Sequence, residues 1–252
     1  MKRLRRVTEA EVIAEFLKNE FYQGEFHRDR EAYEKLVLEA DLANDYDNAL
    51  RRALLYRRRG HMWRELPADT QWWQVEFEPA DLGLIRVFPR AQWRRVANGS
   101  FRLTDIVHRI KTVRFSGKTN AFISKVQSLS YHLRNSKDTS SVLLIGIDEK
   151  LPLTILEGNH RIAAAMLVSP DLLRTQFQVL CGFSQNMAKS CWYETNLANL
   201  WRYAQNRLRN FRYDPEADVE RVRRLASSSA VAPDDSALDT AIGVHKAFPG
   251  PK

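Results

Sequence analysis

Apolar residues recur at helical spacing through the first third of the chain, in short strand-like runs through its middle, and at helical spacing again towards its end. Thr8-Glu9-Ala10-Glu11 has the form of a capping box, and Val12, Ile13, Phe16 and Leu17 make one apolar helix side behind it. A second helix is predicted after Asp29, carrying Tyr33, Leu36 and Val37. A third covers residues 45–58, with Ala49, Leu50, Ala53 and Leu54 on one side, arginines on the other and Gly60 as its stop. The β-branched and aromatic runs at 72–77 and 83–88 read as strands. Residues 101–115 hold a short helix or turn around Asp105-Ile106-Val107-His108, then Val113-Arg114-Phe115, and a helix comes next over 121–133.

Residues 141–147 form a clear apolar strand run, and 153–156 form a second one. An alanine-rich helix starts at Asn159 and ends near Ser169-Pro170, and 177–180 suggest one more strand. After Thr195, Leu197, Leu200, Trp201, Ala204 and Leu208 fit the apolar side of an amphipathic helix. Ser-rich residues 227–238 read as a connection or tail. The order predicts an α+β fold: a helical section over 1–65 packed on the later part of the chain, a mixed α/β core over 66–182, a helical section over 183–226 and a flexible tail over 227–252.

Composition adds bounds. The chain's 252 residues suffice for one large or two small domains, and 44% hydrophobic with 28% charged residues is ordinary for a globular protein. The basic start lacks an apolar run behind it, and no stretch approaches the roughly 18 apolar residues of a membrane span. Cys181 and Cys191 make neither a disulfide framework nor a CxxC pair, so reduced thiols in a cytoplasmic protein without membrane contact are expected. The net charge of +8 and a pI near 9.6 permit a nucleic-acid partner. Arg51-Arg52, Arg57-Arg58-Arg59, Arg64, Arg94-Arg95 and Arg202 to Arg212 are the basic helices that would provide it, although such runs are commonly solvated helix faces. No zinc-finger or RNP spacing accompanies them. Trp63, Trp72, Trp73 and Trp93 suit a packed core better than a base-stacking platform.

The chemistry concentrates at Leu153-Thr154-Ile155-Leu156-Glu157-Gly158-Asn159-His160-Arg161. A strand ends on a carboxylate, turns at glycine, and presents an amide, an imidazole and a guanidinium where a helix starts, a place that favours phosphate. A purely structural turn would use Asn159 as N-cap and pair Arg161 with a surface acid. Ser116-Gly117-Lys118-Thr119 is not a Walker A loop, since Thr112 stands where its first glycine belongs, but Lys118 remains able to reach an anion.

The unit over residues 110–182 resembles the ParB/sulfiredoxin-like superfamily, with Glu157-Gly158-Asn159-His160-Arg161 and Ala164 similar to its glycine–polar–polar–arginine box. The resemblance implies a mixed sheet with helices and a phosphate site for ATP or another nucleoside phosphate. Asn159 stands where sulfiredoxin-like enzymes carry their cysteine, which argues against sulfinic-acid reduction. The chromosome-partitioning relatives differ at Asn159-His160 and carry a helix-turn-helix domain not recognisable here. The box looks more like that of the small-molecule kinase branch. The leading expectation is therefore nucleotide-dependent phosphoryl transfer to a small hydroxyl-containing molecule. In that reading Gly158, Asn159 and Arg161 hold phosphate, with Lys118 or Arg114 adding charge. Glu157 orients the acceptor or holds Mg²⁺, and His160 accepts a proton or bonds the phosphate. A nucleotide- or DNA-binding module without turnover is the main alternative, and a helical interaction protein with Trp-rich faces the third.

Overall fold

The protein, analysed as a computed structural model, is described over residues 1–89, 91–136, 140–209 and 214–229. Six strands form one mixed sheet: β1 (Lys2–Val7), β2 (Gln71–Glu76), β3 (Ile85–Val87), β4 (Ser141–Gly146), β5 (Leu153–Glu157) and β6 (Gln178–Phe183), in the order β1-β2-β6-β4-β5-β3. β4 is buried along its whole length, with β6 parallel on one side and β5 antiparallel on the other. β2 pairs antiparallel with both β1 and β6, and β3 closes the other edge parallel to β5.

Helices cover both faces, as a sheet with two apolar faces requires. On one face lie α4 (Ala91–Ala97), α5 (Leu103–Thr112), α6 (Gly117–Asn135) and α7 (Asn159–Val168), with the short α8 (Leu172–Thr175) beside them. On the other lie α1 (Glu9–Glu20), α2 (Arg30–Leu38) and α3 (Asp45–Trp63), joined by α10 (Val219–Ser229). The strand period of two divides the side chains: Leu144, Val179 and Cys181 enter the first core, Leu143, Ile145 and Leu180 the second. Helices and a mixed sheet thus make the expected α+β architecture, and the section over 1–65 packs on the sheet. Trp63 and Trp72 stack 6.0 Å apart in the core, as the Trp-rich composition suggested.

Four expectations need correcting. Residues 2–7, within the section expected to be helical, form an edge strand whose side chains are exposed except at Val7. Gly60 does not stop the third helix. It is buried, and the helix passes through it to Trp63, where Gly60 O still accepts the Arg64 N–H at 3.0 Å. The helix after Thr195, α9 (Leu197–Arg209), forms as expected, but its apolar side faces outward, with Leu197 87% and Trp201 68% exposed. Its buried positions are Asn199, bonded to the carbonyls of Ala188 and Glu194, and Asn206, bonded to the buried carboxylate of Glu65. Residues 227–229 belong to α10 rather than to a tail, and 230–252 lie outside the described residues.

Candidate functional site

The apolar run of β5 is buried up to Leu156 and delivers Glu157 to the sheet's end. Gly158 then turns the chain with φ +97°, a left-handed conformation that glycine adopts without a Cβ penalty. Any Cβ there would also sit 2.8 Å from Val142 Cγ1 on β4. Gly158, not Asn159, caps α7, and its carbonyl accepts the Ile162 N–H at 2.9 Å. Ala163, Ala164 and Ala165 are fully buried, so small side chains let α7 lie close to the sheet. The strand-to-helix turn expected from the sequence is therefore present, although its N-cap is the glycine.

Glu157 and Arg161, one helical turn apart, form an ion pair with side chains only 13% and 15% exposed. Asn19 of α1 closes the pair into a ring. Its Nδ2 donates to Glu157 Oε2 at 3.1 Å and to Ser141 O at 2.8 Å, while its Oδ1 accepts from Arg161 Nη1 at 2.9 Å. Burial raises the Glu157 carboxyl from 4.5 to about 6; the charge and hydrogen bond of Arg161 oppose the rise and Glu20 reinforces it. Arg161 thus pairs with the acid at its own turn rather than with a surface acid.

This ring forms part of the wall of a cavity of about 1100 Å³ between α1, α3, α4 and the turn. Lys18 and Glu20 of α1 and Arg59 of α3 line it, with Glu20 and Arg59 joined in an ion pair. Asn159 and His160 line it beside the turn. Asn159 Oδ1 is buried and has no hydrogen-bond partner among the described residues, and the His160 ring sits against Trp93 and Phe122, with centroids 5.5 and 5.3 Å away. Glu157, Gly158, Asn159, His160 and Arg161 are thus brought together as expected. Arg114 and Lys118 are not. Both are exposed, before and at the first turn of α6, and neither lines the cavity.

Sequence reasoning missed Lys18, Asn19, Glu20 and Arg59, which come from more than ninety positions away. Lys18, Asn19 and Glu20 show in the sequence only as a polar cluster at the end of α1, which reads equally well as a solvated terminus, and Arg59 shows only as part of a basic run with no link to the turn. The arginines of α3 and Arg64 just after it are also engaged: Arg52 with Glu9, Arg57 and Arg58 with Asp29, and Arg64 with Asp214 and Glu216. Those residues make internal ion pairs across the helical layer rather than an open basic stripe.

Among the described residues no group of three or more His, Cys, Asp or Glu side chains is placed to hold a metal ion. Glu157 and Glu20 are the cavity's carboxylates, each on an arginine, so the donor set does not fit a resident Mg²⁺. Among the described residues no helix is long and apolar enough to cross a membrane. No family model, curated protein or solved structure matches this chain.

Proposed function

We propose that the cavity binds a nucleoside phosphate and transfers a phosphoryl group to a small hydroxyl-containing molecule. The observation that carries this reading is the Glu157–Arg161 pair, set across a glycine turn in a cavity wall, with the carboxyl raised to about 6. A carboxylate near that value exchanges a proton at neutral pH, as a general base must. Glu157 takes the proton of the acceptor hydroxyl as its oxygen bonds to the terminal phosphorus, and the bond from phosphorus to the leaving nucleoside diphosphate breaks. Protonation weakens the hold of Glu157 on Arg161, whose guanidinium then faces the phosphate oxygens as charge builds on them. The N–H groups of the first α7 turn and the Asn159 side-chain NH2 donate to the same oxygens. His160, set between two aromatic rings, bonds the phosphate or steadies the acceptor.

The similarity of residues 157–161 to the phosphate box of the ParB/sulfiredoxin-like superfamily, kinase branch, supports this reading. The cavity volume is ample for a nucleotide beside a small acceptor. Calorimetric titration with ATP, ADP, CTP and GTP, with and without Mg²⁺, tests the binding. Phosphorus NMR with a pool of hydroxyl metabolites tests the transfer. Saturable binding that Arg161→Ala weakens, with turnover that Glu157→Gln removes, is the expected outcome. Binding without conversion points to a nucleotide-binding module instead, and no binding refutes the phosphate site.

A further inference from the structure

The sequence carries its excess positive charge in one block. Residues 91–136 contain nine Lys and Arg against a single acid, Asp105, a net +8 equal to that of the whole chain, so the other residues balance at thirty of each sign. The fold sets this block apart in space as well. It comprises α4, α5 and α6, whose apolar sides share one core on a single face of the sheet. Every Lys and Arg in it except Arg109 is exposed, and none makes an ion pair among the described residues. The arginines of α3, which first attract attention in the sequence, are engaged on the opposite face, Arg52, Arg57, Arg58 and Arg59 in ion pairs and Arg51 in buried hydrogen bonds.

We propose that the outer surface of α4, α5 and α6 docks the phosphodiester backbone of a nucleic acid. On α6, Lys118, Lys125 and His132 recur every seven residues and are all exposed, which places them along one line. Lys118 and Lys125 stand about 10 Å apart along the helix axis, a span of roughly three phosphates on one duplex strand. Between them the exposed positions are Asn120, Ala121 and Ser124, short side chains of which Asn120 and Ser124 carry donors, so a backbone can come close and find a partner. Lys111 and Arg114 extend the charge from the end of α5 towards α6, and Arg134 carries it past the other end of the line.

An acidic membrane fits this surface less well. A membrane-binding face presents several large apolar side chains, whereas here only Val113 and Tyr131 are exposed ones. Tyr131, 67% exposed beside His132, suits a stacked base or sugar. Although α4 borders the cavity through Gln92 and Trp93, none of the Lys and Arg of this block lines it, and the docking does not depend on the chemistry of the cavity.

The test uses the full chain and fluorescence anisotropy with a mixed-sequence 20-base-pair DNA duplex, a 20-nucleotide single-stranded DNA and the matching RNA, between 50 and 200 mM NaCl. Contact with about five duplex phosphates should weaken binding several-hundredfold across that range. The combined variant Lys118→Glu, Lys125→Glu, Arg134→Glu should bind at least a hundredfold more weakly at low salt. The milder Lys118→Gln, Lys125→Gln pair should lower the salt slope by about two. Charge reversal of Arg202 and Arg207 on α9 serves as the control and should change affinity less than threefold. Absence of binding to all three probes at 50 mM NaCl would overturn the proposal. So would an equal loss in the α9 control, or equally tight binding to phosphatidylserine vesicles. Far-UV circular dichroism on each variant checks folding, and since every altered side chain is solvent-exposed the fold should persist.

Discussion

Replacing Glu157 with Gln removes one titration from the fold and should change how stability depends on pH in a calculable way. In the folded protein the carboxyl titrates at about 6, against 4.5 ordinarily. The folded state therefore holds this proton more tightly than the unfolded chain. Below pH 4.5 both states are protonated and the residue contributes no pH dependence. Between 4.5 and about 6 the unfolded chain has already released the proton, so stability falls as pH rises, and above 6 the deficit is constant. At about 1.36 kcal/mol per unit, the deficit is about 2 kcal/mol. Gln lacks this term, although it keeps an oxygen for Arg161 and Asn19. Urea unfolding of both proteins from pH 4 to 7.5 checks it. The stability of the Gln variant minus that of wild type should grow by about 2 kcal/mol across the window. That equals roughly 0.8 M in urea midpoint for a slope near 2.5 kcal/mol/M. Other titrating groups cancel in the difference, as does any fixed cost of the substitution. A difference that stays constant, or shrinks as pH rises, would refute the reasoning. Carbon-13 NMR of the wild-type carboxyls should find one midpoint near 6 that the variant lacks.

Gly158→Ala should cost about 2–4 kcal/mol, from the left-handed backbone plus the contact with Val142, and a loss under 1 kcal/mol in urea unfolding would contradict the tight turn. Arg51, 1% exposed, donates to the carbonyls of Leu36 and Asp41 and to Asn48 Oδ1, so Arg51→Met should destabilise by about 2–4 kcal/mol in the same assay. Asn206→Ala removes a donor that holds down the carboxyl of Glu65, which burial already raises; the loss should be about 1–3 kcal/mol and greater at pH 8 than at pH 4. Cys181 and Cys191 are buried and their thiols are raised by burial, so Ellman's reagent should react with neither until denaturant is added; rapid reaction of Cys181 would contradict the packed sheet.

Legibility tracked the physics of each element. β4 and β5 are continuous apolar runs because both of their faces are covered, and Thr8 caps α1 through the Glu11 N–H as its capping pattern implied. β1 was illegible because an edge strand pairs through its backbone while its charged side chains remain in water, so no apolar alternation marks it. The outward turn of α9 was illegible for a different reason. Amphipathic spacing identifies two sides of a helix, but only the acceptors facing Asn199 and Asn206 decide which side is buried. At the site, the Glu157-to-Arg161 turn is local and could be read directly. Asn19 and Arg59 reach it through the packing of α1 and α3, which single-sequence periodicity does not encode. The arginines of α3 show the converse, since a run that looks like an open basic surface meets acids that are distant in sequence.

The order of the strands also governs how the chain can fold during synthesis. β1 can pair with β2 only after the three helices between them are made, with Lys2 opposite Glu76, and the next partner of β2 is β6, where Trp73 meets Cys181 over a hundred positions later. β3 likewise waits for β5, with Ile85 opposite Leu153. A nascent chain ending before β4 therefore holds the β1–β2 pair and β3 with their inner edges open, and six helices, α1 to α6, lacking most of the sheet they cover. Such long-range pairing slows folding and leaves strand edges and apolar helix sides exposed in the interim. Fragments that stop short of Phe183 lack the central strands or their partner, and they should be recovered as chaperone-bound or aggregated material rather than as a smaller stable domain.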